Sequence, residues 1–158
     1  MMNQRGFSLV ELIIVIAILA MLTGITLPLL QTGFNSYFTQ RDLSDADWQG
    51  RLALSRMARD MRDLATTSNI STATSTQFSF TDNTNTAVSY TLSGTTLQRN
   101  GLTLANGVSA MTFSYEDRMG AVAGTVAAIR YVSITLNITQ NNTNFTLQSV
   151  VDLRNIVS

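Results

Sequence analysis

Three hydrophobic patterns follow one another along the chain. Residues 7–30 form an apolar run that carries one charge, Glu11. At about 24 residues the run makes a helix of ~36 Å, enough to cross a hydrocarbon core. It is too long and too apolar for a soluble amphipathic helix, which shows a single apolar stripe. From residue 31 the pattern becomes amphipathic. Phe34, Tyr37 and Phe38 lead into Arg41-Asp42, and Leu54, Met57, Ala58, Met61, Leu64 and Ala65 then recur at three- and four-residue spacing. That spacing predicts a helix over 31–65 whose stripe packs onto a domain. Ser44 and Asp45 are candidate caps for a break near 40–45. The opposite face holds Arg56, Arg59, Asp60, Arg62 and Asp63. Arg56–Asp60 and Arg59–Asp63 stand at i,i+4 with the base first, the weaker orientation. A solvated face is the expectation for this cluster, with a subunit contact as the alternative.

Residues 66–76 are a polar connector with no helical period. Beyond them the period is two. Phe78 and Phe80 alternate with polar neighbours, as do Val88, Tyr90 and Leu92. Leu92-Ser-Gly-Thr-Thr-Leu97 and Arg99-Asn-Gly-Leu102 supply hairpin turns, the second an Asn-Gly pair. In the stretch from Val108 to Tyr115, Val108, Ala110, Thr112 and Ser114 fall on one side and Met111, Phe113 and Tyr115 on the other. Gly120–Gly124 reads as a loop. Val132, Ile134, Leu136 and Ile138 share one face, Asn141–Asn144 turns the chain, and Phe145, Leu147, Val151 and Leu153 return. The expected fold is α+β, an antiparallel sheet with one apolar face covered by the 54–65 stripe.

At 158 residues the chain supports one modest domain and an anchor rather than two cores. Net charge is zero, all ten basic residues are Arg, and no basic run exists, so a nucleic-acid partner is not expected. Charged residues are only 13% of the chain, and Thr, Ser and Asn crowd its second half, a surface suited to an extracytoplasmic protein. The chain has no cysteine, so no disulfide framework stabilises it.

Glu11 is the chemically informative residue. Near the start of a helix a carboxylate gains from the dipole, but an acid within a membrane span calls for a partner group. A positive charge is at hand if the chain is cut after Gly6, since Phe7 then carries a free amine. Gly6 has no side chain to obstruct a protease. Arg5 and the initiator amine precede the run, which favours the N-terminus inside and the bulk of the chain outside. No Ala-x-Ala site follows the run, which argues against an ordinary secretory signal; a plain single-pass anchor is the simplest alternative.

Arg5-Gly6-Phe7-Ser8-Leu9-Val10-Glu11-Leu12, followed by Ile-Ile-Val-Ile-Ala-Ile-Leu, resembles the class III signal of type IV prepilins and type II secretion pseudopilins. The resemblance implies that a prepilin peptidase cuts between Gly6 and Phe7 and methylates Phe7. It also implies that Glu11 pairs with a neighbouring subunit's amine during assembly. Pro28 matches a helix-kinking proline of the family. Pro28 removes a backbone hydrogen bond, and Gly24 four residues earlier loosens the same turn. The implied organisation is a leader over 1–6, a transmembrane and filament-core helix over 7–30, an amphipathic helix over 31–65 and a sheet domain over 66–158.

The string Arg56-Met-Ala-Arg-Asp-Met-Arg-Asp63, with Tyr90–Arg99, Val108–Tyr115, Val132–Leu136 and Val151–Asn155, is similar to J-type minor pseudopilins and W-type minor pilins. The last two segments are also similar to the O-type proteins of mannose-sensitive haemagglutinin pili. These likenesses imply a minor subunit that primes or caps a filament, with the peptidase, other minor and major subunits, an inner-membrane assembly platform and membrane lipid as partners. The implied location is the bacterial inner membrane, single-pass with a periplasmic domain, and then the filament, at its tip. An adhesive or DNA-uptake pilin is the alternative, which the absent disulfide and the neutral charge disfavour.

An enzyme is not expected. Without His or Cys the chain lacks Ser-His-Asp and Cys-His pairs and the usual zinc ligands. Glu116-Asp117 beside Arg118 reads as a solvated turn rather than an acid/base pair. No loop has calcium-binding spacing and no glycine loop suits a nucleotide phosphate, so no cofactor is expected. The Asn-x-Ser/Thr sequons at Asn69, Asn137, Asn141 and Asn144 follow from composition.

Overall fold

The computed structural model describes residues 8–153. One helix, α1 (Leu9–Arg62), is followed by eight strands: β1 (Ile70–Ala73), β2 (Phe78–Thr81), β3 (Ala87–Ser93), β4 (Thr96–Arg99), β5 (Leu102–Ala105), β6 (Val108–Glu116), β7 (Tyr131–Gln140) and β8 (Thr143–Asp152). Contacts divide the chain into two compact units meeting at Arg41 and Asp42. α1 runs through 40–45 without a break, so Ser44 and Asp45 start no new helix.

In the first unit α1 meets no other element, and its apolar side chains from Leu9 to Leu30 are exposed. It is the one helix among the described residues long and apolar enough to cross a membrane. Three of its polar interruptions satisfy themselves. The hydroxyls of Thr23, Thr26 and Thr32 donate to the carbonyls of Leu19, Leu22 and Pro28 at 2.7, 2.7 and 2.9 Å. Such back-bonding hides the hydroxyl from an apolar surround.

In the second unit the remaining part of α1 packs on the strands. Leu54, Met57, Ala58, Met61 and Leu64 are buried, as the stripe predicts, and the buried face extends back through Ala53, Gly50 and Ala46. Gly50 allows close approach: a Cβ there would lie 2.5 Å from Ile138 Cδ1 and 2.6 Å from Leu147 Cδ1. Trp48 and Leu52 stay exposed on the far side of the helix. α1 closes with short i→i−3 bonds, Asp63 N–H to Asp60 O and Leu64 N–H to Met61 O. Arg59 and Arg62 lie in its last turn, where cations complement the dipole.

The strands are antiparallel throughout but form two sheets, β1-β2-β3-β4-β5 and β6-β7-β8. The chain leaves the first sheet after β5, and the second carries the longest strands. Part of the connector over 66–76 becomes β1, paired with β2 across a bulge between Ile70 and Thr72. A short polar strand on a sheet edge leaves little hydrophobic alternation to read.

The predicted turns form. Asn100 and Gly101 both take positive φ, 52° and 78°, the type I′ geometry of an Asn-Gly hairpin. Gly94, at φ 60°, joins β3 to β4. Asn141 and Asn142, at 49° and 61°, make a two-residue turn, so Thr143 and Asn144 already belong to β8. The register shift between Val108 and Ala110 explains why Val108 joins Met111 and Phe113 in the core, against strict alternation. One cluster of buried residues joins the helix stripe, Phe78, Phe80, Val88, Tyr90 and Leu97 of the first sheet, and Val132, Ile134, Leu136 and Ile138 of the second.

Candidate assembly and processing site

Gly6 and Phe7, which flank the expected cut, lie outside the described residues. Glu11 lies in the first turn of α1, where Leu12 N–H donates to Ser8 O at 3.1 Å. Ser8 and Glu11 have the spacing of a capping box, which alone would justify an acid here. Among the described residues, however, neither side chain has a hydrogen bond or an ion pair. Glu11 therefore stands as an exposed carboxylate among exposed apolar side chains such as Leu9, Leu12 and Val15. Chemically that arrangement can accept a cation delivered from outside the chain.

Gly24 and Pro28 lie inside α1. Pro28 offers no N–H to the Gly24 carbonyl, and a Cβ at Gly24 would meet nothing within 4 Å. Both residues stand on an uncovered surface and touch no other element.

The sheet domain contains one charged tie that the sequence pattern misassigns. Asp60 pairs with Arg99, not with Arg56: Arg99 Nε donates to Asp60 Oδ2 at 2.6 Å, and Tyr90 Oη donates to the same oxygen at 2.7 Å. Tyr90 and Arg99 face each other across β3 and β4, so one register brings both to the helix. Arg56 and Arg59 are exposed and make no ion pair among the described residues. Burial, reinforced by the hydrogen bond to Asp60, pushes the Tyr90 hydroxyl well above the ordinary tyrosine range. Burial does the same to Tyr115, whose hydroxyl donates to Thr74 O at 2.7 Å. Both bonds are structural: they tie α1 to the first sheet and β6 to the β1–β2 turn.

Glu116 ends β6, and Asp117 opens the turn that follows it. Asp117 Oδ1 accepts the N–H groups of Met119 and Ala121 at 2.8 and 3.0 Å, and Glu116 O accepts Arg130 N–H at 2.8 Å. No group of three or more His, Cys, Asp or Glu residues among the described ones could hold a metal ion. Sequence reasoning missed the ordering of this loop, whose Met119 and Val122 are exposed, because its residues show no period.

Residues 1–27 match the family model of the prokaryotic N-terminal methylation motif. The match spans Gly6, Phe7, Glu11 and Gly24 and supports a type IV prepilin-like protein, a pilin or pseudopilin of structural rather than catalytic type. The motif implies processing by prepilin peptidase and assembly with pilins. Together with a long apolar N-terminal helix, it is consistent with inner-membrane anchoring. No curated protein matches the chain.

Proposed function

We propose that this chain is a minor pilin or pseudopilin that primes or caps a type IV pilus or a type II secretion pseudopilus. The observation that carries the reading is the exposed apolar stretch of α1 over 9–30, whose single charge, Glu11, falls inside the match to the methylation motif. Cleavage between Gly6 and Phe7 creates an α-amine, which is then methylated at Phe7. In the filament Glu11 accepts a neighbour's Phe7 amine, and the apolar side chains of residues 7–30 exchange lipid for sister helices. Gly24 and Pro28 form the point at which the stem bends on packing. Before assembly the subunit waits in the inner membrane with its sheet domain in the periplasm. Its partners are the peptidase, other minor and major subunits and the assembly platform, and its place is at the tip.

Mass spectrometry of sheared filaments from a peptidase-competent host tests the proposal. The expected mature chain begins at methylated Phe7 and is far scarcer than the main subunit. A chain still beginning at Met1 overturns processing; a chain that makes up the bulk of the filament overturns the minor role.

A further inference from the structure

Asn-Gly occurs twice, at Asn100-Gly101 between β4 and β5 and at Asn106-Gly107 between β5 and β6. Such a pair is chemically labile. The glycine nitrogen can attack the asparagine side-chain carbonyl, and glycine has no Cβ to obstruct the approach. In a folded chain the attack also needs an asparagine side chain that is free to turn. The two pairs begin alike: both asparagines are exposed, and both glycines take positive φ, 78° and 74°. In neither pair does the Asn–Gly peptide group hydrogen-bond to another described residue. The side chains, however, are held differently. Asn100 uses both ends of its amide on β3: Oδ1 accepts Ser89 N–H at 2.7 Å, and Nδ2 donates to Ala87 O at 2.8 Å. Reaching Gly101 N would break both bonds. The Asn106 amide has only a 3.4 Å contact from Thr96 Oγ1 to its Oδ1, beyond the usual range for such a bond. Its Nδ2 makes no hydrogen bond among the described residues.

We propose that Asn106 is a site of spontaneous deamidation in the folded chain, while Asn100 is protected. Gly107 N loses its proton to solvent base and bonds to Asn106 Cγ. The Cγ–Nδ2 bond breaks, and the nitrogen takes up a proton and leaves as ammonia. Water then opens the resulting succinimide at either carbonyl, giving aspartate or isoaspartate. Nothing is oxidised or reduced, and water is the sole co-reactant. The new carboxylate stands in a cleft lined by Asp42, Asp45, Gln49 and Gln140 as well as Asn106. A chain of zero net charge thus acquires, as it ages, a negative charge in a cleft that already holds two. Isoaspartate also adds a carbon to the backbone where the chain passes from the first sheet to the second. The inference stands on these two turns and does not depend on the pilin reading.

The full chain, purified in detergent and incubated at neutral pH, provides the test. Trypsin cleavage after Arg99 and Arg118 leaves both asparagines in one peptide, 100–118, which contains no other asparagine. Fragment-ion mass spectrometry of that peptide therefore compares the two sites within the same molecules, with an unaged sample as the zero point. In the folded chain Asn106 is expected to convert to the acid several-fold faster than Asn100. In concentrated urea, which removes the hold of β3 on Asn100, the two are expected to convert at similar rates. Equal conversion of the two sites in the folded chain overturns the proposal. So does a folded chain in which Asn106 is as resistant as Asn100 while urea releases both. A preference for Asn106 of the same size in urea overturns it too, because the sequence rather than the fold would then set the rate.

Discussion

At the residue scale, Asp60 shows how one side chain can serve the fold when its sequence neighbours suggest otherwise. In the sequence it stands four residues after Arg56, on a face rich in Arg and Asp. In the structure its carboxylate is only 16% exposed and takes Arg99 and Tyr90 from two neighbouring strands. Helix spacing reveals i,i+4 partners but not partners 30 and 39 residues away. Hydrogen bonds to a charged group contribute about 1.5–3 kcal/mol, so Tyr90→Phe is expected to lower stability by that order in denaturant unfolding at neutral pH. Alkaline pH should act in the opposite sense on the same variant. The folded protein holds the Tyr90 proton above its ordinary value of 10.0, while the unfolded chain releases it there. That contribution is full below about pH 10 and falls as pH rises beyond it. Tyr90→Phe should therefore lose less stability than the natural chain between about pH 9 and pH 11. An equal loss in both would remove Tyr90 from the alkaline transition.

At the element scale, the strongly periodic parts of the chain were legible. The 54–64 stripe, the faces of β3 and β7 and the Asn-Gly turn all follow from alternation and turn chemistry. What was not legible depends on small or polar residues. Ala46, Gly50 and Ala53 extend the buried face of α1, yet carry too little hydrophobic signal to mark it. The split into two sheets is invisible to periodicity, because each strand alternates the same way whichever neighbour it takes. β1 and the ordered β6–β7 loop lacked any repeat. Gly50 shows that the hidden part of the helix face matters. Its missing side chain leaves room for the end methyls of Ile138 and Leu147, at 2.5 and 2.6 Å from a hypothetical Cβ. Overpacking costs about 1–3 kcal/mol, and β-branching removes most of the propensity gained on leaving glycine. Gly50→Val is thus expected to lower stability by about 1–3 kcal/mol, measured by denaturant unfolding. A neutral outcome would mean that the two strands yield to the helix.

At the scale of the whole molecule, two kinds of surface are assigned to two kinds of work. One unit buries its apolar side chains internally, while the other leaves them to its surroundings. The sequence made this division plain, since an unbroken apolar run has no core of its own to fill. The proposed processing residues Gly6 and Phe7 rest on the motif alone, since both lie outside the described residues. If Glu11 serves assembly rather than insertion, the two steps separate. Glu11→Ala removes a charge whose burial in lipid is unfavourable, so it should insert at least as well as the natural chain. Its incorporation into filaments should nevertheless fall sharply. Carbonate extraction of membranes reads the first step and immunoblotting of sheared filaments the second. Normal incorporation of the alanine variant would sink the pairing role.

The threonines of the stem bear on how such a subunit changes surroundings. Each hydroxyl of Thr23, Thr26 and Thr32 already occupies a lone pair on its own backbone. At these three positions the helix thus carries a portable substitute for water, so lipid strands none of the three hydroxyls. On the proposed function, passage from bilayer to packed helices exchanges one apolar neighbour for another, while each of these three hydrogen bonds travels intact.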